Sequence, residues 1–296
     1  MLDLMAAFRA RRVWKDHLAQ QHAYAAPVDK TQLTSAARAI APNIDTIIEQ
    51  LHRDGVTVME GYWPAARCAA AREEIERLIV DHPSSVRLFS NASDKRMFGA
   101  EMAGPSCSQF HNDPFLKSVG EIEGGFALYN LATLGARIDA TSANRGSGDG
   151  WHRDAFGYQF KAIIYLNDVT NENGPFEYVP GSHTLWRVGL DSALGHFPVP
   201  PESRVERSQM TKLVDSGALK TKRFPAKAGT VILVNTTGVH GGAPLAAGTR
   251  YALTNYYYHP FQIGKSVVDK FRPLVPGVSE RLAPFLEAED AARRPD

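Results

Sequence analysis

Two stretches of the chain carry a His and an Asp one residue apart: FHNDPF, with His111 and Asp113, and DGWHRDAFGYQ, with His152 and Asp154. On a strand, such a pair projects an imidazole and a carboxylate from one face, within reach of a single ion. The first pair reads otherwise. Asp113 precedes Pro114, and an acidic residue before a proline at the first helical position is a helix-start signal. Its carboxylate is then spent on backbone N–H groups, and His111 sits in the loop leading in. The second pair has no helix start after it. Gly150 and Gly157 bracket it in a strand-and-turn context, with Arg153 facing the other way.

A third ligand is offered by GTVILVNTTGVHGGAP, where an apolar strand leads to His240, and Gly241 and Gly242 remove side-chain bulk beside it. Two histidines and one carboxylate on one side of an ion leave three positions open, as in non-haem Fe(II) oxygenases. The same ligands also accept Zn²⁺, so a cupin-type hydrolase or isomerase stays open, as does a non-catalytic barrel with a vestigial site. Arg250 opens the strand RYALTNYYYH ten residues after His240. A buried guanidinium there is suited to the far carboxylate of a dicarboxylate cosubstrate, gripped through two parallel N–H bonds. The competing reading is a strand-end salt bridge. Tyr165, in KAIIYLND, is a second candidate donor to that carboxylate.

The elements that must position these residues read as follows. Residues 1–40 form a partly helical extension, and 41–296 a single domain. NIDTIIEQLHRDG has Ile44, Ile47, Ile48 and Leu51 at helical spacing, with Asn43 as N-cap and Asp54-Gly55 as stop. VTVMEGYW is a short strand, and Pro64 opens a second helix. Beyond residue 120 come strand-like runs: FALYNL, LGARIDA, YQFKAIIYLNDV, FEYVP, GTVILVN and RYALTNYYYH. Helices do not alternate with them, which argues against a parallel α/β sheet and for an antiparallel sandwich or jelly roll. VSERLAPFLEAEDAARR closes the sequence as a surface helix.

Composition excludes several classes. Thirty-three basic against 32 acidic residues give a formal charge of +1, which calls for neither nucleic acid nor an anionic membrane. No apolar run is long enough to span a bilayer. Two cysteines, Cys68 and Cys107, fit a reducing, cytoplasmic setting. The opening MLDLMAAFRARRVW has the arginines of a transit peptide, but Asp3 and the lack of Ser there favour a docking helix.

In NGPFEYVPGSH, residues 173–183, tight turns flank a short strand. His152-x-Asp154, this segment, GTVILVN leading to His240, and Arg250, in this order, resemble the phytanoyl-CoA dioxygenase family. The likeness runs from about Asn43 to His259. It implies a mainly β fold with flanking helices, a cupin-like double-stranded β-helix. It also implies Fe(II), 2-oxoglutarate and O₂ as cofactor and cosubstrates, and hydroxylation or another oxidation of an unactivated C–H bond in a small metabolite. His152, Asp154 and His240 resemble the family's iron ligands. Arg250, with Tyr165, corresponds to the grip on the cosubstrate's C5 carboxylate. The PGSH turn resembles a scaffold element, which makes His183 structural. Where relatives often carry Ser or Thr two residues after the Arg, this chain has Ala252, so Tyr165 or Thr254 would supply that hydroxyl. Halogenating relatives lack the triad carboxylate; Asp154 is present.

Between Trp186 and Phe224 lies an insertion, 186–224, with few strand signals, the position of a lid. Arg204, Arg207, Lys212, Lys220, Lys222 and Arg223 outnumber Glu202, Glu206 and Asp215 there, which suits either an anionic substrate or a solvated loop. Arg137 and Arg145 are further candidates for an anionic group. Oligomeric state is not legible.

Overall fold

The structure is a computed structural model, and it describes residues 2–23, 26–89, 92–142, 144–148, 150–198 and 202–292. The chain opens with α1 (Leu4–Ala23) and α2 (Lys30–Arg38), then α3 (Ile44–Asp54), β1 (Val56–Met59) and α4 (Ala65–Asp81). The short strands β2 (Arg87–Phe89) and β3 (Asp94–Phe98) precede α5 (Pro105–His111) and α6 (Pro114–Gly124). Next come β4 (Tyr129–Asp139), β5 (Trp151–His152), β6 (Phe160–Tyr165) and β7 (Phe176–Tyr178). The insertion holds α7 (Leu185–Ala193), β8 (Arg204–Val205), α8 (Arg207–Asp215) and β9 (Lys222–Phe224). β10 (Val231–Asn235), β11 (His240–Gly242), β12 (Thr249–Tyr258), α9 (Lys265–Val268) and α10 (Val278–Ala292) complete it.

Two antiparallel sheets face each other: seven strands in the order β1-β10-β6-β12-β4-β3-β2, and five in the order β8-β5-β11-β7-β9. This is the double-stranded β-helix, with helices covering the outer face of the larger sheet. β10 is buried at all five positions because α3 and neighbouring elements lie on one side and the barrel interior on the other. In β12 the alternation is functional. Leu253 and Tyr257 turn to the helical core, while Arg250, Ala252, Thr254 and Tyr256 line a cavity between the sheets.

The expected helix at 44–54 ends where Gly55 takes φ +80°, and a Cβ there would collide with Tyr178 and His183. Asn43 occupies the N-cap place without a side-chain bond. Pro64 is the N-cap of α4. FALYNL and LGARIDA are not two strands but parts of the single strand β4. Gly135, near their junction, marks no turn: it lets the strand press close to Ala100 and Ile75. The closing helix is only half a surface element, since Val278 and Leu282 are buried and Arg281 reaches Glu101 at 2.6 Å. Its expected last residues, Arg293 and Arg294, lie outside the described ones.

The N-terminal extension packs onto the domain. Ala10 and Trp14 of α1 meet Val188 of α7, and Gln21 brackets the Tyr158 backbone with two hydrogen bonds. The insertion is not structureless. β8 and β9 extend the smaller sheet through β5 and β7, and α8 seats Met210 among Trp151, Val205 and Leu219. Residues 199–201 lie outside the described part. Among the described residues no helix is long and apolar enough to cross a membrane.

Candidate metal centre

β5 and β11 pair with His152 directly opposite His240, so the two rings project together, 4.4 Å between centroids. Each ring is oriented by the carbonyl two residues before it. His152 Nδ1 lies 3.1 Å from Gly150 O, and His240 Nδ1 lies 2.9 Å from Gly238 O. Nδ1–H donates in both, which leaves both Nε2 lone pairs free to ligate. Asp154 closes the group, with Oδ1 3.6 Å from His152 Nε2 and Oδ2 3.3 Å from His240 Nε2. One donor atom from each residue lies within 4.8 Å of the others. Ligands on adjacent positions of one ion, at bonds of about 2.1 Å, stand roughly 3 Å apart. These spacings therefore fit three ligands on one side of a single metal.

β5 ends at His152, and Asp154 lies in a bend, not on the strand. The bend is pinned instead. Asp154 N donates to Thr236 O, and the buried Arg153 faces away, donating to Ser182 O and Thr237 O at 2.6 Å each. Ser182 Oγ in turn accepts Val239 N–H, one residue before His240. The PGSH turn thus braces both halves of the site from behind. His183 hydrogen-bonds His52 O and stays out of the site, as expected of a structural residue. Gly241 and Gly242 are required for a reason other than metal crowding. A Cβ on Gly241 would strike Gly150 O, and one on Gly242 would strike Ser147.

Electrostatics set the protonation states that ligation needs. Burial, reinforced by His240, pulls His152 down to about 3, so its ring is neutral. Burial opposes the charge on Asp154, but Lys161, followed by His240, holds the carboxyl well below its ordinary value. Lys161 Nζ sits 2.7 Å from Asp154 Oδ2 and 4.0 Å over the Tyr256 ring. Nothing singled out Lys161 in the sequence, although it lies two and four positions before Ile163 and Tyr165 and so shares their face.

The cavity, about 490 Å³, runs from this cluster to Arg250. The Arg250 guanidinium is buried, donates from one Nη to Gly174 O, and leaves Nε without a partner. Burial lowers its pKa. An orphaned, desolvated guanidinium nitrogen in a cavity wall fits a carboxylate that arrives as a ligand. Tyr165 lies in the same wall, but its hydroxyl donates to Phe224 O at 3.1 Å and accepts Phe176 N–H at 2.8 Å. Thr254 and Ala252 also line the cavity.

Other expected residues lie elsewhere. Asp113 caps α6, accepting from Phe115 N and Leu116 N, as the Asp-Pro signal requires. His111, however, is not in a loop. It ends α5, buried, with Nδ1 2.9 Å from Thr133 Oγ1, and burial takes it to about 3. Arg137 is bound to Glu76 and Asp139 outside the cavity. The Arg145 backbone carbonyl accepts a bond from Arg207, and its side chain is not in the lining. Of the insertion, Ser203 and Arg204 alone among the described residues reach the cavity, while Arg207 and Arg223 pair with Glu177.

The chain belongs to the phytanoyl-CoA dioxygenase (PhyH) family, whose model matches residues 51–251. It is a non-haem Fe(II)/2-oxoglutarate-dependent dioxygenase, with O₂ as cosubstrate. It is 23% identical over 248 residues to L-proline trans-4-hydroxylase of Streptomyces griseoviridis, covering 71% of this chain and 87% of that one. The epimerase SnoN of nogalamycin biosynthesis, solved with Fe³⁺, α-ketoglutarate and nogalamycin RO, shares its fold. The TM-score is 0.58 at 19% identity, over 74% of this chain and 85% of that one. EctD from S. alaskensis, solved with bound Fe, superposes with TM-score 0.55 at 17% identity, over 73% of this chain and 76% of that one.

Proposed function

We propose that the enzyme hydroxylates an unactivated C–H bond of a small, anionic metabolite, with His152, Asp154 and His240 holding Fe(II) and Arg250 holding the far carboxylate of 2-oxoglutarate. The observation that carries this reading is the pairing, in one cavity, of three convergent donor atoms with a buried guanidinium whose Nε has no partner. With both groups bound, decarboxylation of 2-oxoglutarate by O₂ yields succinate and CO₂ and inserts the other oxygen atom into the substrate's C–H bond.

The chain's own work is positioning. The Gly150 and Gly238 carbonyls hold each imidazole with Nε2 inward. Lys161 takes one Asp154 oxygen and leaves the other to face His152. Leu134, Ile163 and Phe176 give the cavity a dry wall. Tyr165 becomes a second donor to the cosubstrate carboxylate by turning its O–H from Phe224 O. A hydrolytic site has no use for a dicarboxylate anchor, and a carboxylate at 154 leaves no room for a halide. Hydroxylation is also the reaction named for the proline hydroxylase that the chain resembles.

The test is a metabolite screen coupled to succinate release, with mass spectrometry of the product. A gain of one oxygen atom is expected. A product lighter by two hydrogens would replace hydroxylation with desaturation, and absence of 2-oxoglutarate turnover with every substrate would defeat the assignment of the site.

A further inference from the structure

The cavity wall is strongly one-signed. Arg87, Arg96, Arg153, Lys161, Arg204, Arg250 and Lys270 line it, and Asp154 is the one carboxylate among the described lining residues. Four of these cations already have work: Arg153 is turned back onto Ser182 O and Thr237 O. Lys161 holds Asp154, Arg250 faces the cosubstrate, and Arg96 grips the buried Asp94 through three hydrogen bonds. Arg87, Arg204 and Lys270 have no carboxylate within salt-bridge distance among the described residues; Arg204 stands on β8 of the smaller sheet, bonded to Gly148 O at 2.6 Å, while Arg87 and Lys270 are joined at the edge of the larger one.

The sheet register shows where they stand. Arg87 pairs with Arg96, Arg96 with Ala136, Ala136 with Ala252, and Ala252 with Tyr165, a single row across β2, β3, β4, β12 and β6. All five side chains line the cavity. The middle of the row is two alanines, so a shallow, unobstructed floor runs from the cosubstrate end to the arginine pair at the sheet edge. Three strand spacings of about 4.8 Å put Arg87 at most ~14 Å from the β12 position in that row. Two like charges directly opposite each other on one face cost a sheet stability. Here the pair is held in place. Both guanidinium groups pack on the Phe89 ring, 4.9 Å from its centroid for Arg87 and 4.5 Å for Arg96, and an Arg87 Nη donates to Lys270 O at 2.6 Å. A preordered guanidinium bonded to the backbone of a second cationic residue of the same lining, neither side chain having an acid, is a seat for an oxyanion.

We infer that Arg87 and Lys270 bind an anionic group of the substrate, a carboxylate or a phosphate ester, at the β2 edge of the cavity, with the carbon to be oxidised lying over the Ala136–Ala252 floor toward the metal. The inference rests on the oxygenase reading and adds to it the place and sign of the substrate's handle. It also makes the substrate's anion distinct from the cosubstrate's, which belongs to Arg250.

The experiment uses the full chain loaded with Fe(II) and 2-oxoglutarate under argon, so that Arg250 is occupied. Dissociation constants of phenyl phosphate, benzoate and the neutral benzyl alcohol are read by saturation-transfer NMR, for the parent and for the double variant Arg87→Gln with Lys270→Gln. Lys270 is exposed and Arg87 half-buried, and the thermal midpoint checks the fold. At least one anion is expected to bind more tightly than benzyl alcohol, and the double variant to weaken it about tenfold or more. Preference for phenyl phosphate assigns a phosphate ester, and preference for benzoate a carboxylic acid. Equal binding of the neutral probe, no anion binding, or unchanged affinity in the double variant each overturns the seat. A parallel 2-oxoglutarate titration separates the two levels. If that fails the oxygenase reading falls, and if it holds while the anion is indifferent to the substitutions, the seat alone falls.

Discussion

Replacing Arg250 by Gln tests the cosubstrate anchor most directly. In the structure this guanidinium is desolvated, one nitrogen is fixed by Gly174 O, and Nε is unpartnered. Asp94, the acid that acts on it electrostatically, is gripped by Arg96. A bidentate carboxylate would gain two charge-assisted hydrogen bonds of about 1.5–3 kcal/mol each. Their loss corresponds to ~3–6 kcal/mol, or roughly 10²- to 10⁴-fold in the 2-oxoglutarate Kd. Arg250→Lys keeps a charge but not the fork, and falls between parent and Gln variant. The fold should be little affected, because losing the Gly174 bond offsets the relief of a buried charge. The thermal midpoint without cosubstrate then stays within about 3 °C of the parent. At a 2-oxoglutarate concentration near 100 times its Kd the parent gains ~2.7 kcal/mol from binding, and the variant gains almost none. Anaerobic titration of the Fe(II) protein, followed through its absorption change, measures Kd. A Gln variant that binds 2-oxoglutarate within threefold of the parent refutes the anchor.

Three further outcomes are expected. Asp154→Ala abolishes Fe(II) binding in metal analysis of anaerobically purified protein, and also costs about 3–5 kcal/mol of stability by leaving Lys161 buried without its acid; denaturant unfolding of the metal-free chain reads the second effect. His183, held near 4 by burial, is neutral when folded, while an unfolded His protonates at 6.5. Its stabilisation is therefore present above pH 6.5 and lost as pH falls toward 4, by up to about 3 kcal/mol, and His183→Gln should flatten that acid limb in pH-dependent unfolding. Glu123 has the opposite sign. Burial raises its carboxyl to about 7, its Oε2 has no partner, and its stabilisation is present below 4.5 and lost as pH rises through 7. Glu123→Gln should add ~2–3 kcal/mol above pH 7, seen as a higher denaturant midpoint.

That His152, Asp154 and His240 converge, and that Arg250 shares their cavity, could be anticipated because the signals are local: a His-x-Asp pair without a helix start, a glycine-flanked His after an apolar strand, and an Arg opening the next strand. The jelly roll was legible from short strands with turn chemistry between them. What escaped depends on neighbours distant in the chain. Lys161 reads as an ordinary strand residue until β6 is laid against the bend holding Asp154. Arg87 and Arg96 acquire meaning only through the register of β2, β3 and β4. Arg137 looked available because Glu76, which binds it, lies 61 residues away on α4. Helix α5, just seven residues long, opens with PSCS and has no periodic stripe to announce it.

The seam between α1 and α7 has a practical side. Asp3 N donates to Ala193 O at one end, Trp14 and Val188 meet in the middle, and α7 belongs to the same insertion that delivers Arg204 to the cavity. Trimming the first twenty-three residues to make a tidier barrel would bare an oily stripe on α7 and loosen the segment upstream of Arg204. Such a shortened protein would be stickier, and its entrance less well shaped, even with every metal ligand intact.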